Sequence, residues 1–565
     1  MEAMPSAAEW EAKDPALQLP HRRKMEILFA IMLGMFLSAL DQTIVGTALP
    51  TIVGDLHGSN ELYTWVVTIY LLTSTITGVF YGKLSDIYGR RPMLLIGISI
   101  FLIGSALCGL AWNMETLILF RGLQGVGAGA IFPISLAVIG DLFTPRERGK
   151  YQGLFGAVFG VSAILGPLLG GWLTDNISWH WIFYVNLPIG LVALAIIYRL
   201  LPTVHGEERT SKLDYLGAAV FTVAVSFLLV GLTNKSTMDW TAIEVGGYLL
   251  VALVTGIVFL FVESRAAEPI VPLDLFRNRG YSVTILTTFL TAMGFFGAII
   301  FLPRWFQFVR EVSPTDSGLQ TLALLAGLIL SSIVSGALVS RTGRYKWIIT
   351  ASLAIMVVGL FLMTGLTSTT ELPQLWLWMF VTGLGIGPAF SVLTIVIQSV
   401  VPFERLGVAT SNLTFFRQIG GSVGLALVST MFASDFAAKM QPQMVAAGVP
   451  PEVATAIAST AGSTDTLSQV GSSLSETMAQ GAAFLAQQLG MTVEAFQALI
   501  PSIVSGIYEA FSLAVAGTFW LGVAMSAVAL VAVVVGLPEM PLRGMGRAPE
   551  GAPASQPTGI ATATD

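Results

Sequence analysis

Long apolar stretches alternate with short polar segments along most of the chain. A helix that crosses a bilayer needs about 20 mostly apolar residues, whereas a membrane barrel strand needs only about ten residues of alternating character. The apolar runs are too long for barrel strands, so the pattern predicts an all-α membrane protein. It predicts fourteen spanning helices, at 27–49, 62–81, 92–112, 116–138, 150–172, 180–201, 213–233, 241–263, 282–303, 317–339, 346–366, 374–400, 408–432 and 510–537.

Composition agrees with this class of protein. Of the 565 residues, 54% are hydrophobic and 11% are charged, and the mean hydropathy is +0.77. Soluble proteins average about 25% charged residues, so the sequence excludes a soluble enzyme and a disordered chain. The formal net charge of −6, without a basic stripe, excludes a nucleic-acid-binding protein. The single cysteine, Cys108, excludes an internal disulfide framework.

The lysines and arginines predict the orientation. If the N-terminus is inside, 22 of the 28 basic residues fall in cytoplasmic segments. Two others, Arg121 and Arg417, lie within helices, and the outer loops hold four, at Lys235, Arg304, Arg310 and Lys439. Cytoplasmic loops collect basic residues, so both termini are expected inside the cell. We expect 1–26 to be a cytoplasmic tail and 538–565 to be a disordered one.

The chain also repeats itself. The segment that begins at Gly82 after the second span matches one that begins at Gly336 after the tenth, and the segment at Pro145 matches the one at Pro402. Internal repeats are typical of secondary transporters. The repeat predicts two pseudo-symmetric six-helix bundles with two additional helices inserted between them. The bundles span 27–201 and 282–537, the inserted pair lies in 202–281, and an external insertion at 433–509, predicted to be a short helical hairpin, interrupts the second bundle.

Several motifs resemble one known family. The segment from Gly82 to Arg91 resembles the loop signature of the major facilitator superfamily, and the residues from Arg121 to Gly125 resemble its fourth-helix motif. The segments 40–50 and 179–188 resemble those of its fourteen-span drug:proton antiporters. The resemblance implies a major facilitator fold, and it does not cover 433–509.

Asp41 is the strongest candidate for a residue that binds and releases a proton. It lies in the middle of the first span and is the only carboxylate expected deep in the membrane. Ionisable groups at that depth are costly and are functional by default, and loss of water favours the protonated form of a carboxyl group. Arg121 is expected at a similar depth, so the two residues form a candidate proton-coupling pair. The alternative for Arg121 is a side chain that reaches the outer headgroups.

Two further motifs are candidates for conformational roles. By resemblance, Asp86 braces the two halves on the cytoplasmic side, within a loop that also holds Gly82, Gly89, Arg90 and Arg91. The second copy has Ser340 in place of Asp86, so a brace is expected on one side only. The fifth span carries small residues that allow close helix packing, and by resemblance they indicate exchange rather than symport. This antiporter motif consists of Gly156, Gly160, Gly166, Pro167, Gly170 and Gly171.

A substrate cavity is expected between the halves. Polar groups inside a membrane need partners, and aromatic faces near a carboxylate suit a lipophilic cation. Arg417 faces either this cavity or the inner surface, and the sequence does not decide between them. The candidate lining residues are Gln42, Gln124, Phe132, Phe155, Asn186, Trp305, Gln398 and Arg417.

The chain lacks sequence motifs for nucleotide-driven transport or catalysis. It has no phosphate-binding G-x-x-x-x-G-K-[ST] loop, and no nucleophile–base set or metal cluster is evident. We therefore expect no enzyme activity and no cofactor, with the proton gradient as the energy source. The leading hypothesis is a monomeric, proton-coupled antiporter that exports amphipathic or cationic drugs and dyes across a bacterial plasma membrane.

Two alternatives remain open. One is an exporter of a native lipid, siderophore or metabolite, and the other is a membrane receptor that transports nothing. Deleting 433–509 separates them, because a transporter should keep some turnover whereas a receptor that depends on this insertion should lose its function.

Overall fold

The computed structural model describes residues 19–58, 60–202, 214–235, 238–461, 474–488 and 490–539. Most of both predicted tails and the middle of the 433–509 insertion lie outside these described residues. Fourteen helices in the described part are long and apolar enough to cross a membrane. In chain order they are α1 (His21–Asp55), α2 (Leu62–Tyr88), α3 (Arg90–Cys108), α4 (Met114–Leu142), α5 (Glu147–Asn176), α6 (Trp181–Leu200), α7 (Tyr215–Asn234), α8 (Ile243–Glu263), α9 (Arg279–Val309), α10 (Leu322–Thr342), α11 (Lys346–Met363), α12 (Leu372–Val400), α13 (Leu406–Ala446) and α14 (Val493–Gly536). The described residues form no strand, so the all-α fold with fourteen spans is confirmed.

Local capping explains where two of the helices begin. The Asn113 side chain accepts a hydrogen bond from the Thr116 backbone N–H at 2.8 Å, and the Asn113 N–H donates to the Thr116 hydroxyl at 3.3 Å. This capping box satisfies N–H groups that would have no partner at the start of α4. Thr492 caps α14 in a similar way, by accepting from the Ala495 N–H at 3.3 Å.

Helix packing repeats between the two halves. Helix α1 packs on α5 and α6, and α9 packs on α13 and α14. Helices α2 and α3 pack on α4, just as α10 and α11 pack on α12. Each half also has its own buried core, with Ile98 and Ile131 in the first half and Met356 and Val392 in the second.

The halves meet through two related contacts. Helix α2 packs on α13, and α5 packs on α10. The inserted helices α7 and α8 pack mainly on each other, while α7 also touches α2 and α13. The inserted pair therefore lies beside one of the two seams between the halves.

The 433–509 insertion differs from the predicted hairpin. The last two spans continue as helices well into it, because α13 ends at Ala446 and α14 begins at Val493. Between them lie the short helices Pro451–Ala461, Leu474–Gln480 and Ala482–Gln488. Buried Met440 and Met444 on α13 pack in the same core as Ile503 and Ile507 on α14. Only one face of each extension is apolar, so the mean hydropathy falls although the helix continues.

Candidate functional site

A buried ionic cluster centres on Asp41, which is fully buried in α1. Arg121 on α4 donates from Nη1 to Asp41 Oδ2 at 2.5 Å. The other carboxylate oxygen, Oδ1, accepts from Gln124 Nε2 at 2.8 Å and from Asn186 Nδ2 at 3.1 Å. Arg121 and Gln124 lie three residues apart on α4, so both face α1. Three helices thus converge on one carboxylate, and the charges of Asp41 and Arg121 compensate each other.

The guanidinium of Arg121 is enclosed by further partners. Its Nη1 also donates to Gln124 Oε1 at 2.8 Å, and its Nε donates to the Val66 carbonyl at 3.4 Å. Its centre lies 4.1 Å from the ring centroid of Tyr70. Arg121 is 1% exposed, so it does not reach for the headgroups as the alternative interpretation required.

Sequence reasoning missed a second layer of this cluster. Asn186 also donates from Nδ2 to Ser105 Oγ at 3.0 Å, and the hydroxyls of Ser38 and Tyr70 lie 3.3 Å apart. These three residues, Ser38, Tyr70 and Ser105, are buried. Their only sequence signal was a polar group within an apolar span, which many hydroxyl residues of this chain share.

The brace loop joins the halves at one end of the bundle. The two carboxylate oxygens of Asp86 accept from the backbone N–H groups of Gly407, at 3.0 Å, and Val408, at 2.9 Å. These groups are at the N-terminus of α13, where partial positive charge favours an anion. Arg90 bonds to Asp86 and donates from Nε to Asp141 at 3.0 Å. We call this end of the bundle the brace end.

Other residues of the loop have different surroundings. Gly89 has φ 94°, a conformation that favours glycine, and it precedes the first residue of α3. A Cβ on Gly82 would lie 2.6 Å from Ser411 Cβ, so only glycine allows this approach to α13. Arg91 is outside the brace and donates to the Tyr198 carbonyl at 2.5 Å. In the second copy, Ser340 bonds to the Gly336 carbonyl of its own helix.

A second link crosses between the halves near the brace. Gln152 Nε2 donates to Gln398 Oε1 at 2.7 Å, and Gln398 Nε2 donates to the Leu136 carbonyl at 2.9 Å. Both glutamines are buried. Gln398, expected as a cavity residue, therefore fastens α12 to the first half.

The antiporter motif packs against two different helices. A Cβ on Gly156 would lie 2.8 Å from Ser332, and one on Gly160 would lie 2.4 Å from Ile329, both on α10 of the other half. Gly166 and Gly170 approach α1 instead. Gly171 has open space around it, and Pro167 lies inside the helix.

A small cavity lies between α1, α2, α4 and α13. Its water-accessible volume is about 20 Å³, which is enough for about one water molecule. Among the expected lining residues, Gln42 and Phe132 border it. It is also lined by Ser38, Thr75, Ser411, Thr414, Phe415 and Gln418.

The remaining expected lining residues lie elsewhere. Gln124 and Asn186 bind Asp41, as described above. Phe155 is buried in the core of the first half. Trp305 is buried in the second half, where its Nε1 donates to Ser512 Oγ at 2.8 Å. Lipid and the protein core are similarly apolar, so the sequence alone did not show which aromatic residues would line the cavity.

Arg417 belongs to α13, is partly buried, and its side chain contacts α12. Its guanidinium centre is 4.5 Å from the ring centroid of Phe390, and its Nη2 donates to the Ala389 carbonyl at 3.4 Å. Within the described residues, no carboxylate forms an ion pair with it.

A larger cavity, of about 650 Å³, lies at the side of the bundle. It is bordered by α2 and by the inserted helices, through residues that include Trp65, Thr68, Phe227 and Tyr248. Among the described residues, no group of three or more His, Cys, Asp or Glu side chains could hold a metal ion.

The comparisons with known proteins identify the family. Residues 31–425 match the profile of the Major Facilitator Superfamily, so the chain belongs to that superfamily. The chain is 41% identical over 408 residues to the "Multidrug transporter protein MdtP" of Bacillus subtilis (strain 168), and the match covers 72% of this chain and 74% of that protein. It is 37% identical over 415 residues to "Multidrug resistance protein 3" of the same organism. That match covers 73% of this chain and 80% of that protein.

A solved structure shows the same fold. A bacterial homologue of the human lysosomal transporter Spinster, 16% identical, superposes with a TM-score of 0.53 and covers 92% of this chain and 98% of that chain. The profile match and the named relatives show that the protein is a multi-span membrane transporter of the major facilitator superfamily and not an enzyme. Its named relatives support drug efflux.

Proposed function

We propose that this protein is a proton-coupled antiporter that exports amphipathic drugs and dyes by alternating access. The observation that carries the proposal is Asp41, a fully buried carboxylate bound by Arg121 from another helix. The multidrug names of two relatives support the substrate class. The proton gradient supplies the energy, and no cofactor takes part.

The cluster suggests how a proton changes the packing of the helices. Ionised Asp41 accepts bonds from α4 through Arg121 and Gln124, and from α6 through Asn186. Protonation removes the charge that compensates Arg121 and turns one carboxylate oxygen into a donor. The attraction between α1 and α4 then weakens, and Arg121 keeps its contacts with Tyr70 and Val66. Proton uptake and release at Asp41 thus switch the first half between two arrangements.

The brace supports alternating access. Asp86 holds the brace end closed by binding the N-terminus of α13. We propose that this end faces the cytoplasm, because it carries the basic loop, and that both termini lie on that side. The brace must open before a substrate can enter from the cytoplasm, and closure of the brace commits the substrate to the outside.

The surroundings of Asp41 bear on the charge of the substrate. The sequence suggested lipophilic cations, on the expectation that Asp41 would be open to the cavity. Since Asp41 is enclosed by Arg121, Gln124 and Asn186, it has no free face for a cation in this conformation. The second candidate function, export of a native lipid-like compound, is favoured by one observation, the lateral cavity of about 650 Å³ beside α2.

A proteoliposome assay tests proton coupling. We expect purified protein with an imposed proton gradient to drive uptake of a fluorescent drug, and Asp41→Asn to abolish the gradient-driven component. The matched control is Asp175→Asn, the same change at an exposed carboxylate, which should keep the wild-type rate. Gradient-driven flux that persists in Asp41→Asn would place the proton site elsewhere, and a wild-type flux that ignores the gradient would refute coupling.

A further inference from the structure

The ionic clusters described above leave Arg417, a cation within α13, without a compensating carboxylate among the described residues. Asp41 compensates Arg121, while Asp86 and Asp141 compensate Arg90. Arg417 has no ion-pair partner among the described residues. An arginine in a membrane is costly unless it meets water, a pairing group or a ligand.

The guanidinium of Arg417 also retains most of its bonding capacity. It has five N–H donors in a planar fork, and one of them makes a long bond of 3.4 Å to the Ala389 carbonyl. Contact with the face of Phe390 stabilises the cation but uses no donor. The side chain is held in place and can still bind an acceptor with two oxygens.

Arg417 lies at the end of an aromatic row that crosses between the halves. Phe132 on α4 stacks on Phe159 on α5, with ring centroids 5.1 Å apart. The Phe159 ring lies 5.8 Å from Phe390 on α12, and Phe390 contacts Arg417. Phe132 also borders the small cavity between α1, α2, α4 and α13, so the row connects that cavity with the guanidinium of Arg417.

The same helix supplies polar groups to the cavity. Ser411, Thr414 and Gln418 on α13 line it, and Ser411 Oγ is buried without a hydrogen-bond partner in the described structure. The interface between the halves thus combines an aromatic surface, hydroxyl and amide groups, and the cation of Arg417.

We propose that Arg417 recognises the charge of the substrate, and that the exported class is amphipathic anions with a planar apolar body and a carboxylate or sulfonate group. The guanidinium binds the anionic group through two parallel hydrogen bonds, and the row Phe132–Phe159–Phe390 holds the apolar body. This rests on the proposed export function and specifies its substrate.

Binding of two probes with the same ring and opposite charge tests the proposal. The probes are naphthalene-1-carboxylate and 1-naphthylmethylammonium, and binding to the full chain in lipid nanodiscs is followed by the anisotropy of naphthalene fluorescence. We expect the wild type to bind the carboxylate at least tenfold more tightly than the ammonium. Arg417→Gln should raise the Kd for the carboxylate about tenfold or more and leave that for the ammonium within twofold, since a charge-assisted pair is lost.

Two further variants make the result specific. Arg417→Lys keeps the charge without the planar fork and should recover part of the preference. Arg304→Gln is the matched control, because Arg304 is an exposed arginine in the same half, and it should bind both probes as the wild type does. A wild type that prefers the ammonium, that binds no carboxylate, or whose preference survives in Arg417→Gln would overturn the proposal.

The binding assay uses no proton gradient, so it separates this proposal from the export function. If the charge preference is present but gradient-driven flux is absent, antiport fails and Arg417 remains the recognition residue. If flux is present without the preference, the assignment of Arg417 fails and antiport stands.

Discussion

Asp41 and Arg121 show how a membrane protein can keep charges in its interior. Burial of either charge alone would cost several kcal/mol, and the pair is tolerated because nearly every hydrogen-bonding group around it has a partner. Asp41 accepts three hydrogen bonds, and Arg121 adds contacts to Val66 and Tyr70. Removing one member therefore leaves the other buried with an uncompensated charge.

A double-mutant comparison at this pair tests that account. We expect Arg121→Gln to lower the free energy of unfolding by about 3–5 kcal/mol, because Asp41 is left as an unpaired buried carboxylate. Adding Asp41→Asn should recover a substantial part of that loss. The measurement is equilibrium unfolding by SDS in mixed micelles. Arg304→Gln, at an exposed arginine, should change stability by less than about 0.5 kcal/mol. A double variant no more stable than Arg121→Gln would contradict the account, because neutralising the unpaired carboxylate would then restore no stability.

At the scale of elements, helix α5 packs against helices from both halves. Gly156 and Gly160 allow contact with α10, while Gly166 and Gly170 allow contact with α1. Without a hydrophobic force between helices in lipid, close packing of backbones supplies much of the attraction. The glycines of this motif consequently place α5 between the two halves.

Two glycines of the motif should respond differently to the same substitution. A Cβ on Gly166 would lie 2.1 Å from Thr43 Oγ1, which itself donates to the Ser162 carbonyl at 3.0 Å. Gly166→Ala should therefore cost about 1–3 kcal/mol of stability and slow transport, as overpacking does. Gly171→Ala, five residues along, meets open space and should be neutral or slightly stabilising. SDS unfolding and the proteoliposome flux measure both effects, and equal losses at the two glycines would contradict the packing account.

At the scale of the whole molecule, the contacts that join the two halves are not symmetric. The first copy of the loop binds α13 through Asp86, whereas Ser340 in the second copy bonds within its own helix. Gln398 adds a link to the first half close to the same end. Opening of the brace end would therefore break both the bonds of Asp86 to the N-terminus of α13 and the link through Gln398.

Labelling of an introduced cysteine measures that opening. In a Cys108→Ser background, which removes the single native cysteine, Ser411→Cys places a thiol in the buried seam beside Gly82. Asp86→Asn should raise its rate of reaction with a maleimide about tenfold or more, because charge-assisted bonds of about 1.5–3 kcal/mol are weakened. The control Glu404→Gln changes an exposed carboxylate close to the same helix end and should leave the rate unchanged. An unaltered rate in Asp86→Asn would mean that the brace does not hold the seam closed.

The sequence predicted the spans and the fold class because both depend on the length of apolar runs. The structure brings Asp41 and Arg121 together, and they were foreseeable as partners since ionisable residues are rare at that depth. Trp305 and Phe155 could not be distinguished from cavity residues, because lipid, core and cavity surroundings can all be apolar. The extensions of α13 beyond residue 432 and of α14 before residue 510 were missed because their second face is polar.

The uncompensated charge of Arg417 has a consequence for energetics. If each cycle exports one monovalent anion and admits one proton, two elementary charges cross the bilayer in the same electrical direction. A membrane potential of about 100 mV, negative inside, then contributes about 4.6 kcal/mol per cycle, at about 2.3 kcal/mol for each charge. That alone sustains a concentration ratio of roughly a thousandfold or more. Exchange of a monovalent cation for a proton would be electrically silent, so the selection of an anion by Arg417 would make the membrane potential a main driving force of the proposed antiport.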